Sequence, residues 1–143
     1  MSQIFDELVS IMDRLREPGG CPWDRKQDFD TFLPCLREEL VELEAAIGKR
    51  DAANICEELG DLFFNLVFVA RLGKEQGWFT ADDALRGIRD KIVRRHPHVF
   101  GDANCETPEQ VLEQWDRIKK EEKAPPPAAP SAAPPPPAPP PPS

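Results

Sequence analysis

Apolar residues recur every three to four positions along most of the first 123 residues, the spacing of one face of an α-helix. Ile4, Phe5, Leu8, Ile11, Met12 and Leu15 predict a helix over residues 3–16. The stretch "EPGGCPWD" breaks it into a loop. A second helix is predicted from about Phe29 to Ile47, with Pro34 near its start, where proline is tolerated, and Gly48 as its C-cap. Asp51 reads as the N-cap of a third helix reaching about Gly73. Within it "LFFNLVFVA" is apolar nearly all round, which predicts a central, buried helix. Thr80 with Asp83 forms a capping-box pattern for a fourth helix through about Arg95, stopped by Pro97. Thr107 with Pro108 at the first helical position starts a fifth, ending near Lys123. No segment alternates as a strand would. The pattern predicts an all-α, antiparallel helical bundle of about five helices.

Composition sets the limits of that domain. From Ala124 onward the chain holds only Ala, Pro and Ser, and 12 of the 17 prolines lie there. Proline removes donors and fixes φ, so residues 124–143 are expected to form a disordered extension while 1–123 fold as one domain. Every charge lies before the extension, and the net value is −8. An acidic domain repels a phosphate backbone and is a poor partner for nucleic-acid polymers, yet it can meet a small polyanion through metal cations. The N-terminus does not resemble a signal peptide, and no apolar run is long enough to cross a bilayer. Four cysteines are scattered without a C-x-x-C pair, which argues against zinc and for reduced thiols in the cytoplasm.

The chemistry concentrates in a repeated acidic pattern. Glu38-Glu39-x-x-Glu42 and Glu57-Glu58-x-x-Asp61 sit on the second and third helices. Residues three or four apart share a helix face, and the tight connection between Gly48 and Asp51 makes these helices antiparallel neighbours. About four carboxylates then meet. Their mutual repulsion raises their pKa values unless cations lie between them. Carboxylates without histidine or thiolate suit hard cations, Mg²⁺ first and Mn²⁺ as a substitute. A di-iron bundle would carry Glu-x-x-His, but Val93 and Arg95 stand three residues before His96 and His98. The competing reading is an ordinary solvated acidic face, for which Glu is a good helix former.

Together with these clusters, "GCPWDRKQ" at 20–27, "EELGDLFFNLVF" at 57–68, "DKIVRRHPHVFGD" at 90–102 and "EQWDRIKKEEK" at 113–123 resemble, in order, the blocks of the MazG-type nucleoside triphosphate pyrophosphohydrolases. The resemblance covers residues 4–123. It implies Mg²⁺-dependent hydrolysis of NTPs or dNTPs to the monophosphate and pyrophosphate by a homodimer or higher oligomer. It implies Glu39, Glu42, Glu58 and Asp61 as metal ligands, with Glu57 and Glu38 supporting them. Glu38, Glu39 or Glu42 would take the proton of the attacking water.

Lys91, Arg94 and Arg95 share a helix face and are expected to meet phosphates, or else to be a solvated helix C-terminus. The resemblance points to Lys91 and Arg95 especially. Asn65 would either serve the nucleotide or bond a neighbouring helix. Trp23 would stack on a base or close its loop onto the core. Trp115 reads as core or subunit interface, and His96 and His98 as residues that orient their loop. Two alternatives stand beside the general hydrolase: a non-catalytic nucleotide-sensing module, and a base-selective dCTP or dUTP pyrophosphatase.

Overall fold

The structure is a computed structural model that describes residues 3–124. The Pro/Ala-rich extension lies, from Pro125 on, outside the described residues. Among the described residues seven helices follow one another: α1 (Gln3–Arg16), α2 (Pro22–Lys26), α3 (Phe29–Lys49), α4 (Ala52–Glu75), α5 (Ala81–Arg95), α6 (Pro97–Phe100) and α7 (Pro108–Lys123). The five long helices fall where the periodicity puts them, and there is no strand among the described residues. The two additional ones are single turns begun by Pro22 and Pro97, whose fixed φ suits a first helical position. None of the helices is long and apolar enough to cross a membrane among the described residues.

The caps explain the boundaries. Asp28 accepts from the Thr31 amide at 2.8 Å while the Thr31 hydroxyl accepts from the Asp28 amide at 2.8 Å. Asp51 caps α4 by accepting from the Asn54 amide, and Thr80 and Asp83 close a reciprocal box before α5. One expected cap moves. Gly48 is helical, and α3 ends instead at Arg50, which takes the left-handed conformation with φ 55° and donates its amide to the Ala46 and Ile47 carbonyls. The connection from α3 to α4 is therefore only Arg50 and Asp51. Pro34 lies inside α3, in its second turn, so the Asp30 carbonyl loses its usual amide partner at an exposed position.

The chain divides into two compact units, one up to Asp90 and one from Lys91 onward, the division falling inside α5. In the first unit α4 is central and packs along α3 and against α1, while α2 touches α1. Met12, Phe32, Val67, Phe68 and Leu72 form the buried core, with Phe5, Leu8, Val9, Phe29 and Phe64 packed around it. Phe32 and Phe68 stack at 4.0 Å. Each such side chain contributes about 1.5–3 kcal/mol by leaving water.

An arginine clasp closes this unit. Arg16, its side chain only 7% exposed, donates to both carboxylate oxygens of Glu75 at 2.8 and 2.7 Å. It also donates to the Asp24 carbonyl and, at 3.0 Å, to the Gln27 carbonyl, so it ties α2 to α4. Its guanidinium lies 5.3 Å from the Phe68 ring centre. Arg71 joins Glu75 to Asp13 on α1. The Arg16 hydrogen bond, then that of Arg71, holds the Glu75 carboxyl below its ordinary range against the opposing effect of burial.

Only one side of α4 is covered as its apolar sequence predicted. Leu59, Phe63 and Leu66 are 43%, 49% and 51% exposed. Phe63 lines an apolar groove with Ile4, Leu8 and Ile11 of α1, and Phe63 and Leu66 line a second with Leu85 and Ile88 of α5.

In the second unit, Glu122 of α7 accepts from Arg94 at 2.8 Å and from Arg95 at 2.9 Å. These bonds, Arg95 first, hold its carboxyl down to about 2. Gln114, buried in α7, bridges the Cys105 thiol and His98 Nδ1. His96 Nδ1 is 2.6 Å from the Ile92 carbonyl, and its ring meets Trp115 edge-on at 5.2 Å. The histidines thus orient the segment after α5. Trp115 is half-buried, and its Nε1 has no hydrogen-bond partner among the described residues.

Candidate metal and substrate site

The two-residue turn after α3 sets its acids against those of α4. One carboxylate oxygen each from Glu39, Glu58 and Asp61 lies within 4.8 Å of the others. Glu39 and Glu58 are half-buried, and Asp61 is exposed. Glu39 Oε2 and Glu58 Oε2 are buried without a hydrogen-bond partner among the described residues. A buried carboxylate oxygen in that state costs free energy unless a proton or a cation neutralises it.

Electrostatics agree with the geometry. Glu39 has its pKa raised, first by loss of water and then by the charges of Asp61, Glu42, Glu58 and Glu38. Glu58 is raised first by loss of water and then by the charges of Glu42, Asp61 and Glu57. No lysine or arginine pairs with Glu39, Glu58 or Asp61 among the described residues. The three clustered donors are hard oxygens, a set that suits a hard divalent cation.

Of the four ligands expected from sequence, three form the close group. Glu42 stands beside it, exposed, acting on Glu39 and Glu58 through its charge. Glu38 and Glu57 are exposed and act on their neighbours in the same way. Asn65, one turn beyond Asp61, is 6% exposed. Its Nδ2 donates to the Cys35 carbonyl of α3 at 3.2 Å. Trp23 is 54% exposed, so it does not close its loop onto the core. That task falls to Arg16, which in sequence looks like any basic residue in the last turn of a helix. Lys91 and Arg94 are exposed, Arg95 is half-buried, and both arginines face Glu122 within the second unit.

Comparison with known proteins gives this arrangement a family. Residues 27–100 match the family model described as MazG nucleotide pyrophosphohydrolase domain. The chain is 47% identical over 122 residues to the nucleoside triphosphate pyrophosphohydrolase of Escherichia coli K12, covering 85% of this chain and 46% of that protein. It is 47% identical over 118 residues to the nucleoside triphosphate pyrophosphohydrolase/pyrophosphatase MazG of Thermotoga maritima, covering 82% and 45%. The chain thus spans about half the length of the curated relatives it matches. The crystal structure of a mazG-related protein from Thermotoga maritima superimposes with a TM-score of 0.68 at 31% identity, over 80% of this chain and 98% of that one. Family match, shared fold and clustered acids converge: the chain belongs to the MazG nucleotide pyrophosphohydrolase domain family.

Proposed function

We propose that this chain hydrolyses nucleoside triphosphates, NTP or dNTP, to the monophosphate and pyrophosphate with a divalent cation held by the α3–α4 acids. Mg²⁺ is the proposed ion and Mn²⁺ its substitute. The observation that carries the reading is the pair of buried, unpartnered oxygens of Glu39 and Glu58 beside Asp61, in a chain whose relatives bear the name nucleoside triphosphate pyrophosphohydrolase.

Glu39, Glu58 and Asp61 hold the cation, with Glu42 as the fourth ligand and Glu38 and Glu57 adding negative charge around it. When bound, the ion supplies charge neutralisation at phosphate oxygens and acidifies a coordinated water. Glu38, Glu39 or Glu42 accepts a proton from the attacking water. Lys91, Arg94 and Arg95 neutralise the outer phosphates, the arginines exchanging Glu122 for phosphate oxygens. The exposed indole of Trp23 offers a stacking face to the base.

The working form is a homodimer or larger homo-oligomer. Support comes from the uncovered apolar residues Leu59, Phe63 and Leu66, a face that solvent alone does not favour. The protein acts in the cytoplasm on free nucleotides, without nucleic-acid polymers or membranes as partners.

The deciding experiment measures pyrophosphate and monophosphate release from a panel of NTPs and dNTPs, with Mg²⁺ and with EDTA. Metal-dependent release of both products is the expected result. Release from dCTP or dUTP alone would redefine the protein as a base-selective enzyme. Mg²⁺-dependent nucleotide binding without any release would refute hydrolysis and leave a sensing module.

A further inference from the structure

We propose that Asn65 is a positioning residue that sets the register of α4 against α3, and through it the spacing of the acids. The inference rests on the cation-site reading above. Asn65 lies one turn beyond Asp61 on α4, and Cys35 lies one turn before Glu39 on α3. The Asn65–Cys35 hydrogen bond therefore spans the seam about 6 Å along the axis from the acid cluster. Among the described residues it is the one side-chain hydrogen bond between the bodies of α3 and α4.

Away from the acids the seam carries apolar contact, such as Phe32 on Phe68. Apolar contact is non-directional and tolerates a small slide of one helix along the other. A hydrogen bond from a buried amide does not, because it weakens steeply once distance and angle leave their narrow range. Pro34, immediately before Cys35, removes a bond from the α3 ladder and loosens the turn that needs anchoring. The acids repel one another, so without an anchor the helices relax in the direction that separates the oxygens. Removing groups that orient metal ligands typically weakens metal affinity about 10–100-fold.

The experiment is a calorimetric titration of the full chain with Mn²⁺, for wild type, Asn65→Ala, Asn65→Leu, Leu72→Ala and Glu58→Gln. Asn65→Leu keeps volume inside an apolar run and guards against simple unfolding, with helicity checked by circular dichroism. Leu72→Ala damages the same helix's core far from the acids. The expected result is about tenfold weaker Mn²⁺ binding in both Asn65 variants at unchanged helicity, and affinity within about twofold of wild type for Leu72→Ala. Wild-type affinity in the Asn65 variants, or an equal loss in Leu72→Ala, would overturn the proposal. Undiminished binding by Glu58→Gln would instead show that the cation site is elsewhere, and the pin would then have nothing to position.

Discussion

Replacing Arg16 by Met tests whether the clasp holds the first unit together. The substitution keeps most of the stem that lies over Phe68 and removes four charge-assisted hydrogen bonds. At about 1.5–3 kcal/mol each, a full loss would exceed the stability of many domains of this size. Two of the four are cushioned: Glu75 keeps Arg71 at 3.0 Å, and its side chain is 29% exposed, so water replaces much of what is lost there. The Asp24 and Gln27 carbonyls have no second cation among the described residues, although Asp24 also accepts the Gln27 amide at 3.3 Å. Counting those two bonds at the low end gives about 3 kcal/mol, or a fall in Tm of roughly 10 °C. Urea unfolding followed by circular dichroism measures the cost, and a double-mutant cycle with Glu75→Gln separates the ion pair from the α2 tether. Limited proteolysis between Gly20 and Gln27 should speed up in Arg16→Met but not in Glu75→Gln. A cost below about 1 kcal/mol, with α2 still protected, would refute the reasoning, because solvent would then be replacing the guanidinium at every partner.

Three further outcomes follow from the same structure. Glu58→Gln removes a charge held among like charges, so turnover should fall at least about 100-fold while the metal-free protein unfolds at the same or a higher temperature at neutral pH; a lower metal-free Tm would contradict the repulsion. Because Glu39 and Glu58 have raised pKa values in the fold, the metal-free protein binds extra protons when folded. It should therefore gain stability as pH falls from neutral through their raised range to the ordinary value of 4.5, and Mn²⁺ affinity should fall over that same window; thermal melts and titrations across pH check both signs. Below that window Glu122, held at about 2 by Arg95 and Arg94, takes over with the opposite sign, its contribution draining away as acid protonates it. Thr107→Ala breaks the reciprocal box with Gln110 at the start of α7 and should cost about 1 kcal/mol in urea unfolding, with no effect on metal affinity.

Long helices were legible because each repeats its apolar face over several turns and carries its own cap. Asp51, Thr80 and Thr107 are such caps, each acting within three residues of itself. The turns at Pro22 and Pro97 are too short for a period to show. Gly48 misled because glycine is the usual left-handed residue after a helix, yet Arg50 takes that conformation, and both its amide and that of Asp51 are satisfied by carbonyls of the last turn. The meeting of Glu39, Glu58 and Asp61 was readable because spacing and a short turn determine it. The exact membership was not: Glu42 shares the face but stays exposed beside the group. Contacts across long stretches of chain were invisible, as with Arg16 to Glu75, Asn65 to Cys35, and Glu122 to the two arginines. Periodicity says that α4 is apolar all round; it does not say what covers Phe63 and Leu66.

The two-residue link at Arg50 and Asp51 also has a kinetic meaning. It makes α3 and α4 a helical hairpin whose contacts are close in sequence, the kind that closes early and fast during folding. The acids ride on that hairpin, so their repulsion is felt while the chain is still collapsing and not only in the finished fold. Neutralising one of them should then accelerate folding as well as slow unfolding. A divalent cation held between those acids would lift that repulsion and so favour the closed hairpin.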